Sequence, residues 1–461
     1  MRISYLIHQF SRKHTSGVEQ YCFNMACEMK RRGNDVSIFS YQYSNKNAKL
    51  QKGTYDYYFD DMLMREVYHN YMILKDAEKF EFYNPVIKDY IRAYFEKVKP
   101  DIVHILHLKN LSASVIDAAY EMNIPILFTP MDFWPLCPNF TLLRPDFDLC
   151  RGPFSDTPCQ LCLGEGEETL GQKIADRKHQ PLFERVKDRL TDSLVTSSVK
   201  KLVDSLASTI NAKKHWEGIG KQLERKEFIL RKCEKIKKIL APSEFIRDVL
   251  IENGYDQSQV EVLPLGYDIT APEDYTKVPS EKLRIGYIGT INKHKGPHLI
   301  IEALKGINSK NLELKIYGDF TRFHKYTHYV RNLAAHDKRI SFKGSFRPER
   351  TDEIFSGLDL LVMPSLWYEN MPTVIHSALR HKTPVITSSF GGLPEIIHHA
   401  QNGILFKRND PDDLREKIED ILVDRSIVDK LKERITPPLS IAEHVDKLLT
   451  MFENYTFCDK V

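Results

Sequence analysis

Leu283-Arg284-Ile285-Gly286-Tyr287-Ile288-Gly289-Thr290-Ile291-Asn292-Lys293-His294-Lys295-Gly296 is the stretch on which the fold turns. A run of strand length ends in a glycine turn, and Gly296 to Leu304 continues with apolar residues at helical spacing. The unit repeats downstream, with strands at Leu314 to Tyr317, Ile340 to Phe342, Leu360 to Met363, Val385 to Thr387 and Ile404 to Phe406. Helical segments such as Thr351 to Phe355 separate them. Upstream, Ile3 to Ile7, Val36 to Phe39, Ile102 to Ile105 and Ile126 to Phe128 alternate with helical Val18 to Arg31, Asn84 to Glu96 and Ser112 to Met122. Strands alternating with helices imply parallel sheets covered on both faces. The reading is therefore α/β, with two Rossmann-like domains: 1–265, and 266–436 after the breakers Gly266, Pro272 and Pro279. A last amphipathic helix, Ser440 to Tyr455, opens with the Ser440/Glu443 capping-box spacing. The segment 437–461 is expected to pack back on the first domain.

Composition fits that size. The 461 residues, 42% hydrophobic and 28% charged, can build ordinary soluble cores and exclude disordered, fibrous and small disulfide-built classes. A net charge of +3 gives no indication of a nucleic-acid partner. The first apolar run is too short for a signal peptide, and no stretch approaches ~18 uninterrupted apolar residues. The expected location is the cytosol, with reduced thiols.

Residues 137–240 fit neither half. From Gly171 to Leu240 there are 18 Lys and Arg against 9 Asp and Glu, so a basic arm hides behind a near-neutral total. A basic helical insertion over 171–238 accounts for it. It is either a solvated face or a contact with an anionic partner such as a membrane surface.

The turns at strand ends carry the chemistry. Neither G-x-G-x-x-G after the first strand nor G-x-x-x-x-G-K-[ST] occurs, which argues against a dinucleotide oxidoreductase or a P-loop ATPase. Ser16-Gly17-Val18-Glu19-Gln20 opens a helix whose amides form an anion site or a plain structural turn. Lys295 sits beside a helix start, where it neutralises a phosphate or serves as a surface charge; Lys293 and His294 are read as solvent-exposed. In Trp367-Tyr368-Glu369-Asn370-Met371-Pro372-Thr373-Val374-Ile375-His376-Ser377-Ala378, Pro372 suits a first helical turn that leaves the Thr373 and Val374 amides for an anion. Glu369 just before them suits sugar hydroxyls. Gly391-Gly392 allows close backbone approach to a ligand. All these turns lie at carboxyl ends of strands, where open α/β sheets bind ligands.

These residues resemble the family 4 (group 1) glycosyltransferases, which have the two-domain GT-B fold. The resemblance runs in family order through Gly17-Val18-Glu19, Ala241-Pro242-Ser243-Glu244-Phe245, Gly266-Tyr267-Asp268, Gly289, Lys295-Gly296, Gly318, Gly344, Pro364-Ser365, Glu369, Pro384-Val385-Ile386, Gly391-Gly392 and Glu395. It implies retaining transfer of a sugar from a UDP- or GDP-sugar to a glycan or lipid-linked acceptor, in bacterial polysaccharide or glycoconjugate synthesis. It implies no cofactor for catalysis. The implied donor site is Gly17, Gly289, Thr290, Lys295, Gly318, Glu369, Asn370, Met371, Pro372, Thr373, Val374 and Ser377. Glu369, Lys295 and His107 are the implied catalytic residues, and His104, His107 and Asp132 the acceptor side. The enzyme would work in the cytoplasm, peripheral at the inner membrane face. Losing one such electrostatic contact costs ~3–4 kcal/mol of barrier, about 10²–10³ in rate.

The chain departs from the family pattern at three positions. The second of two family Glu is Ser377, a common Arg is Thr290, and a common His is Met131, followed by Asp132. These keep two alternatives open: an inactive sugar-nucleotide-binding subunit, and a GT-B-shaped sugar-nucleotide epimerase. A Cys-rich loop, 132–165, holds Cys137, Cys150, Cys159 and Cys162. Four thiols including a C-x₂-C pair resemble a structural zinc site; free thiols and disulfides are the other readings.

Overall fold

The chain folds as two parallel sheets, seen in a computed structural model that describes residues 1–10, 17–42, 52–69, 77–153, 159, 162, 224–267, 275–370 and 372–457. The first half runs β1 (Arg2–Ile7), α1 (Gly17–Arg31), β2 (Asp35–Tyr41), β3 (Lys52–Phe59), β4 (Met62–His69), α2 (Ala77–Phe82) and α3 (Pro85–Val98). It continues through β5 (Ile102–Ile105), α4 (Ser114–Glu121), β6 (Ile126–Phe128), α5 (224–233), β7 (Lys238–Ala241), α6 (Glu244–Glu252) and β8 (Val260–Val262). The second half runs β9 (Leu283–Ile288), α7 (Pro297–Lys305), β10 (Leu312–Tyr317), α8 (His324–Leu333), β11 (Ile340–Gly344), α9 (Thr351–Ser356) and β12 (Leu360–Met363). Then come α10 (Thr373–Arg380), β13 (Val385–Ser388), α11 (Leu393–Ile396), β14 (Gly403–Phe406), α12 (Pro411–Val423), α13 (Ser426–Glu433) and α14 (Ile441–Phe457).

Strand order is β3-β4-β2-β1-β5-β6-β7-β8 in the first sheet and β11-β10-β9-β12-β13-β14 in the second. Each sheet winds out from its first strand in both directions, so β1/β5 and β9/β12 are the places where the order reverses. Ligands of open α/β sheets bind at such switch points, beyond the carboxyl ends of the strands. The pairing is in register there, Leu6 opposite Ile105 and Gly286 opposite Leu361.

Four strands of the first sheet departed from the sequence reading. β3 and β4 form an antiparallel hairpin at the sheet edge. β3, Lys-Gly-Thr-Tyr-Asp-Tyr-Tyr-Phe, is largely solvent-facing and lacks the apolar run of an interior strand. β7 starts at Lys238, the end of the segment read as helical, and β8 has only three residues. The basic insertion over 171–238 lies outside the described residues up to 223; its described end, α5, is helical. Arg225 of α5 is buried, bonds Glu81 at 2.8 Å and lies over the Trp134 ring at 4.7 Å.

Both sheets are covered on two faces. In the first, Ile91, Tyr94 and Ile116 pack with Leu6 and Phe39 on one side. On the other, Tyr21 and Met25 of α1 meet Val445, Leu448 and Phe452 of α14. Leu448 and Phe452 are fully buried, each contributing about 1.5–3 kcal/mol. α14 starts with the reciprocal bonds of a capping box: Ser440 N–H donates to Glu443 Oε2 at 2.9 Å, and Glu443 N–H to Ser440 Oγ at 3.2 Å. In the second sheet, Ile300, Leu304 and Ile418 cover one face, and Phe355, Ile375 and Leu379 the other.

Candidate active site

Lys295 closes the short 3₁₀ turn Lys293–Lys295 after β9. Gly296 follows with φ +71°, and a Cβ there would lie 2.0 Å from the Pro364 carbonyl oxygen. Only glycine lets this turn press against the end of β12. Lys295 thereby reaches Glu369 on the loop after β12, with Nζ 2.8 and 2.9 Å from the two carboxylate oxygens. Ser365 Oγ donates to the same carboxylate at 2.5 Å. The hydroxyls of Thr387 and Ser388 brace that loop by donating to the carbonyls of Met363 and Ser365 at 2.8 and 2.9 Å.

The Glu369 side chain is 4% exposed. Burial pushes its carboxyl up, but the Lys295 charge and the bonds from Lys295 and Ser365 outweigh it, holding the group below the ordinary carboxylate range. Lys295 also lies 4.6 Å from the centre of the Trp367 ring. His294 is not solvent-exposed as expected: it leans on Trp367 at 4.8 Å, and burial lowers it to about 4.

The helix α10 starts at Thr373, shortly after Glu369 in the chain. Pro372 is its extended N-cap residue, and no described side chain caps the turn that Thr373 and Val374 begin. Across the cleft, a Cβ on Gly17 would sit 3.2 Å from Thr373 Cγ2, so the starts of α1 and α10 face each other. Gly318 presses on the Gly289 carbonyl, 2.2 Å from where a Cβ would stand, and the Thr290 carbonyl accepts the Tyr287 hydroxyl at 2.8 Å. Ser377 turns away, donating to the Thr373 carbonyl one helical turn back at 3.1 Å. Asn370 bonds the other half instead, Nδ2 to the Pro130 carbonyl at 2.8 Å. Met371 lies outside the described residues.

The first half contributes a second pair. His107, after β5, has Nε2 2.7 Å from Asp132 Oδ2, after β6. Its Nδ1 accepts the Lys109 amide at 3.1 Å, which leaves the proton on Nε2 to donate to Asp132. Asp132 Oδ1 accepts the Trp134 amide at 2.9 Å. His8, at the end of β1, stacks on His107 with ring centres 4.0 Å apart. Burial, then the nearby His107 and Lys109, push His8 well below the ordinary histidine range. The sequence reading missed His8, although its place at a strand's carboxyl end is the signal that marked the others. His104 does not line the cleft. It is fully buried between Tyr5 and Phe452, bonds Thr129 Oγ1 at 2.8 Å, and burial drives it to about 3. Side chains alternate along β5, so His104 belongs to the core.

The halves are joined across the cleft. Glu395 accepts the Glu244 and Phe245 amides, both at 2.7 Å, and so caps α6 of the opposite half. Tyr368 packs on Phe245 at 4.6 Å, and Tyr267 stacks on His376 at 3.9 Å. Cys137, Cys150, Cys159 and Cys162 line one pocket in the loop after β6. Burial, then the neighbouring thiols, raise Cys159 to about 12 and Cys162 to about 11.

Two families match the chain: Glycosyltransferase Family 4 over residues 15–149 and Glycosyl transferases group 1 over residues 272–436. The chain belongs to the group 1, family 4 glycosyltransferases. Each matched stretch holds one of the two strand-end pairs, so this glycosyltransferase family accounts for both sides of the cleft. Spore coat protein SA of Bacillus subtilis (strain 168) is 29% identical over 145 residues, 30% of this chain and 38% of its own. The putative glycosyltransferase YtcC of the same organism is 24% identical over 241 residues, 47% and 58% of the two chains. The matches thus span only 38% and 58% of those relatives. A glycosyltransferase from Rickettsia africae ESF-5 superposes with a TM-score of 0.64 at 18% identity, covering 99% of each chain. Anabaena HepE in complex with UDP and glucose superposes at 0.62 and 13% identity, covering 98% of this chain and 99% of its own. At these identities the likeness is one of fold, and that fold is GT-B. Among the described residues no helix is long and apolar enough to cross a membrane.

Proposed function

We propose that the protein transfers a sugar from a UDP- or GDP-sugar to a glycan or lipid-linked acceptor, with retention at the anomeric carbon. The observation that carries this reading is the Lys295–Glu369 pair, its Glu369 on the loop that leads into α10, whose first residue Thr373 faces Gly17. A nucleotide diphosphate brings to this place the negative charge that Lys295 and the Thr373 and Val374 amides suit. Lys295 then shifts from Glu369 toward the phosphates, and the released carboxylate takes the sugar hydroxyls. As the glycosidic bond breaks toward an oxocarbenium-like state, Lys295 stabilises the leaving pyrophosphate, and the acceptor attacks from the same face. The His107–Asp132 pair faces the acceptor, Asp132 receiving its hydroxyl. HepE, which has been captured with UDP and glucose on the same fold, supports a nucleotide-sugar donor. We assign the enzyme to bacterial polysaccharide or glycoconjugate synthesis at the inner membrane face. Absence of flotation with anionic vesicles at low salt overturns the membrane part.

The test is a nucleotide-sugar panel scored by thermal shift, with Lys295→Ala and Glu369→Ala beside the wild type. A donor that stabilises the wild type loses most of its effect in Lys295→Ala; an unchanged shift overturns the site. Ser377, whose hydroxyl is spent inside α10, favours a second reading as a binding subunit without turnover. Donor binding with neither hydrolysis nor transfer, across an acceptor panel, is its expected signature.

A further inference from the structure

The loop after β6 is the least regular part of the described chain, yet it spans the cleft. Between 129 and 153 its regular pairing is one isolated bridge, Leu143 to Leu149. Three of its large residues hold left-handed backbone: Phe140 at φ +54°, Leu142 at +48° and Phe147 at +70°. Each costs about 1–3 kcal/mol and persists only where the surroundings enforce it. At the far end the Phe147 carbonyl accepts Arg408 of the second half, and Lys293 lies 4.2 Å from the Phe147 ring. Phe133 meets Tyr368 at 6.1 Å. The loop is therefore a strap between the halves, anchored on the first by Phe133, Trp134, Leu136 and Leu142, which are buried in its core.

The strap also carries sulfur. Cys137, Cys150, Cys159 and Cys162 line one pocket whose other walls include Leu136, Leu142 and Pro153. All four are free thiols, and no charged side chain lines the pocket among the described residues. As placed, they are not gathered: among the described residues no three of His, Cys, Asp or Glu stand at metal-holding distance. The donor set nevertheless selects one chemistry. Four sulfurs with no competing oxygen anion suit a soft, tetrahedral divalent cation, and the C-x₂-C pair brings two ligands from one turn.

We propose that this pocket binds one zinc ion through Cys137, Cys150, Cys159 and Cys162, drawing the sulfurs together and stapling the strap across the cleft. Each ligating thiol gives its proton to the buffer, and no redox change takes place. The ion is structural, remote in role from the Lys295–Glu369 pair, so this site stands or falls separately from the transfer reaction.

The test uses the full-length protein purified without chelator. Elemental analysis is expected to find about one zinc per chain, released in step with mercurial titration of four thiols. Cobalt exchanged into the wild type should give thiolate-to-metal charge-transfer bands with tetrahedral d–d absorption, a readout that needs no variant to fold. Cys159→Ser/Cys162→Ser should drop the zinc content at least tenfold, while Cys27→Ser, outside the pocket, keeps it. Zinc-free protein whose cobalt form lacks those bands overturns the proposal. So does full zinc retention in Cys159→Ser/Cys162→Ser, or disulfides among these four cysteines in protein alkylated without reduction.

Discussion

Each half of the molecule places one carboxylate-centred pair at the carboxyl ends of two adjacent strands, and the two pairs differ in kind. In the second half, adjacent strands β9 and β12 deliver Lys295 and Glu369, a permanent cation against a carboxylate only 4% exposed. In the first, adjacent strands β5 and β6 deliver His107 and Asp132, a neutral-capable ring against a carboxylate 18% exposed. The ion pair with the sealed carboxylate, its Lys295 still partly open, is poised for a partner that brings its own strong charge, because charge interactions strengthen where water is excluded. The pair with the more open carboxylate suits an uncharged hydroxyl that has only a proton to share. One topology thus supplies a charged wall and a proton-handling wall to the same cleft.

Acid gives the largest expected effect and acts on both halves alike. His104 and His444 lie buried in the first half's core, lowered by burial to about 3 and about 4. A folded pKa below the unfolded value of about 6.5 means the unfolded chain binds protons first. Stability is then complete above about pH 6.5 and falls toward pH 4, by about 1.4 kcal/mol per pH unit for each such group. The second half carries the same liability, because burial lowers His294 and His298 to about 4 and His376 to about 3, while Glu369 is held low. Hydrogen exchange at falling pH should therefore open β1, β5 and α14 together with β9 and β12. Opening of one half well before the other breaks this expectation.

The next effect is Lys295→Ala, with about 10²–10³ lost in turnover. It also strands the buried Glu369 carboxylate, which costs about 3–5 kcal/mol. Denaturant unfolding should recover most of that cost in Lys295→Ala/Glu369→Gln, where no charge is left unpaired. Asp132→Asn is milder. The pair is partly open, and a hydrogen bond to a charged group is worth about 1.5–3 kcal/mol. Transfer to acceptor should fall while donor-induced thermal shifts stay at the wild-type value; an equal loss of both would move Asp132 to the donor wall.

The sequence made the second half more legible than the first. There, spacing put Lys295, Glu369 and Pro372 on the turns after short apolar strands but left Lys295 between phosphate binding and surface charge, and the family resemblance supplied the roles. In the first half the resemblance pointed to His107, Asp132 and His104 together, and His104 lies in the core, because one strand end offers two faces and sequence position does not say which looks into the cleft. Asn370 and Ser377 were legible as neighbours of the site, not in their bonding. One reaches the opposite half and the other folds back on its own helix. The hairpin β3–β4 escaped because its exposed tyrosines alternate with no apolar run, and His8 because one histidine at a strand end says nothing without its partner.

The smallest effect concerns how the two walls are held in register. Glu395 belongs to the second half, yet its carboxylate accepts the first two amides of α6 in the first, both at 2.7 Å. It acts as a second cap beside Ser243, whose hydroxyl accepts the Ile246 amide at 3.2 Å. Losing a cap costs about 0.5–2 kcal/mol, and a negative charge at a helix start adds about 0.3–1 kcal/mol that salt screens. Glu395→Ala should therefore lower the melting temperature by about 1–2 °C, the shift expected for about 1 kcal/mol in a chain of 461 residues. Glu395→Gln keeps an acceptor without the charge, so it should lose less, and its deficit should vanish at high salt. If the bond also sets the cleft, small-angle scattering will show Glu395→Ala slightly more extended than Glu395→Gln, with α6 itself still protected by Ser243. Equal scattering with a full loss of stability would make Glu395 a cap alone, and leave the register of the two pairs to Asn370 and the strap.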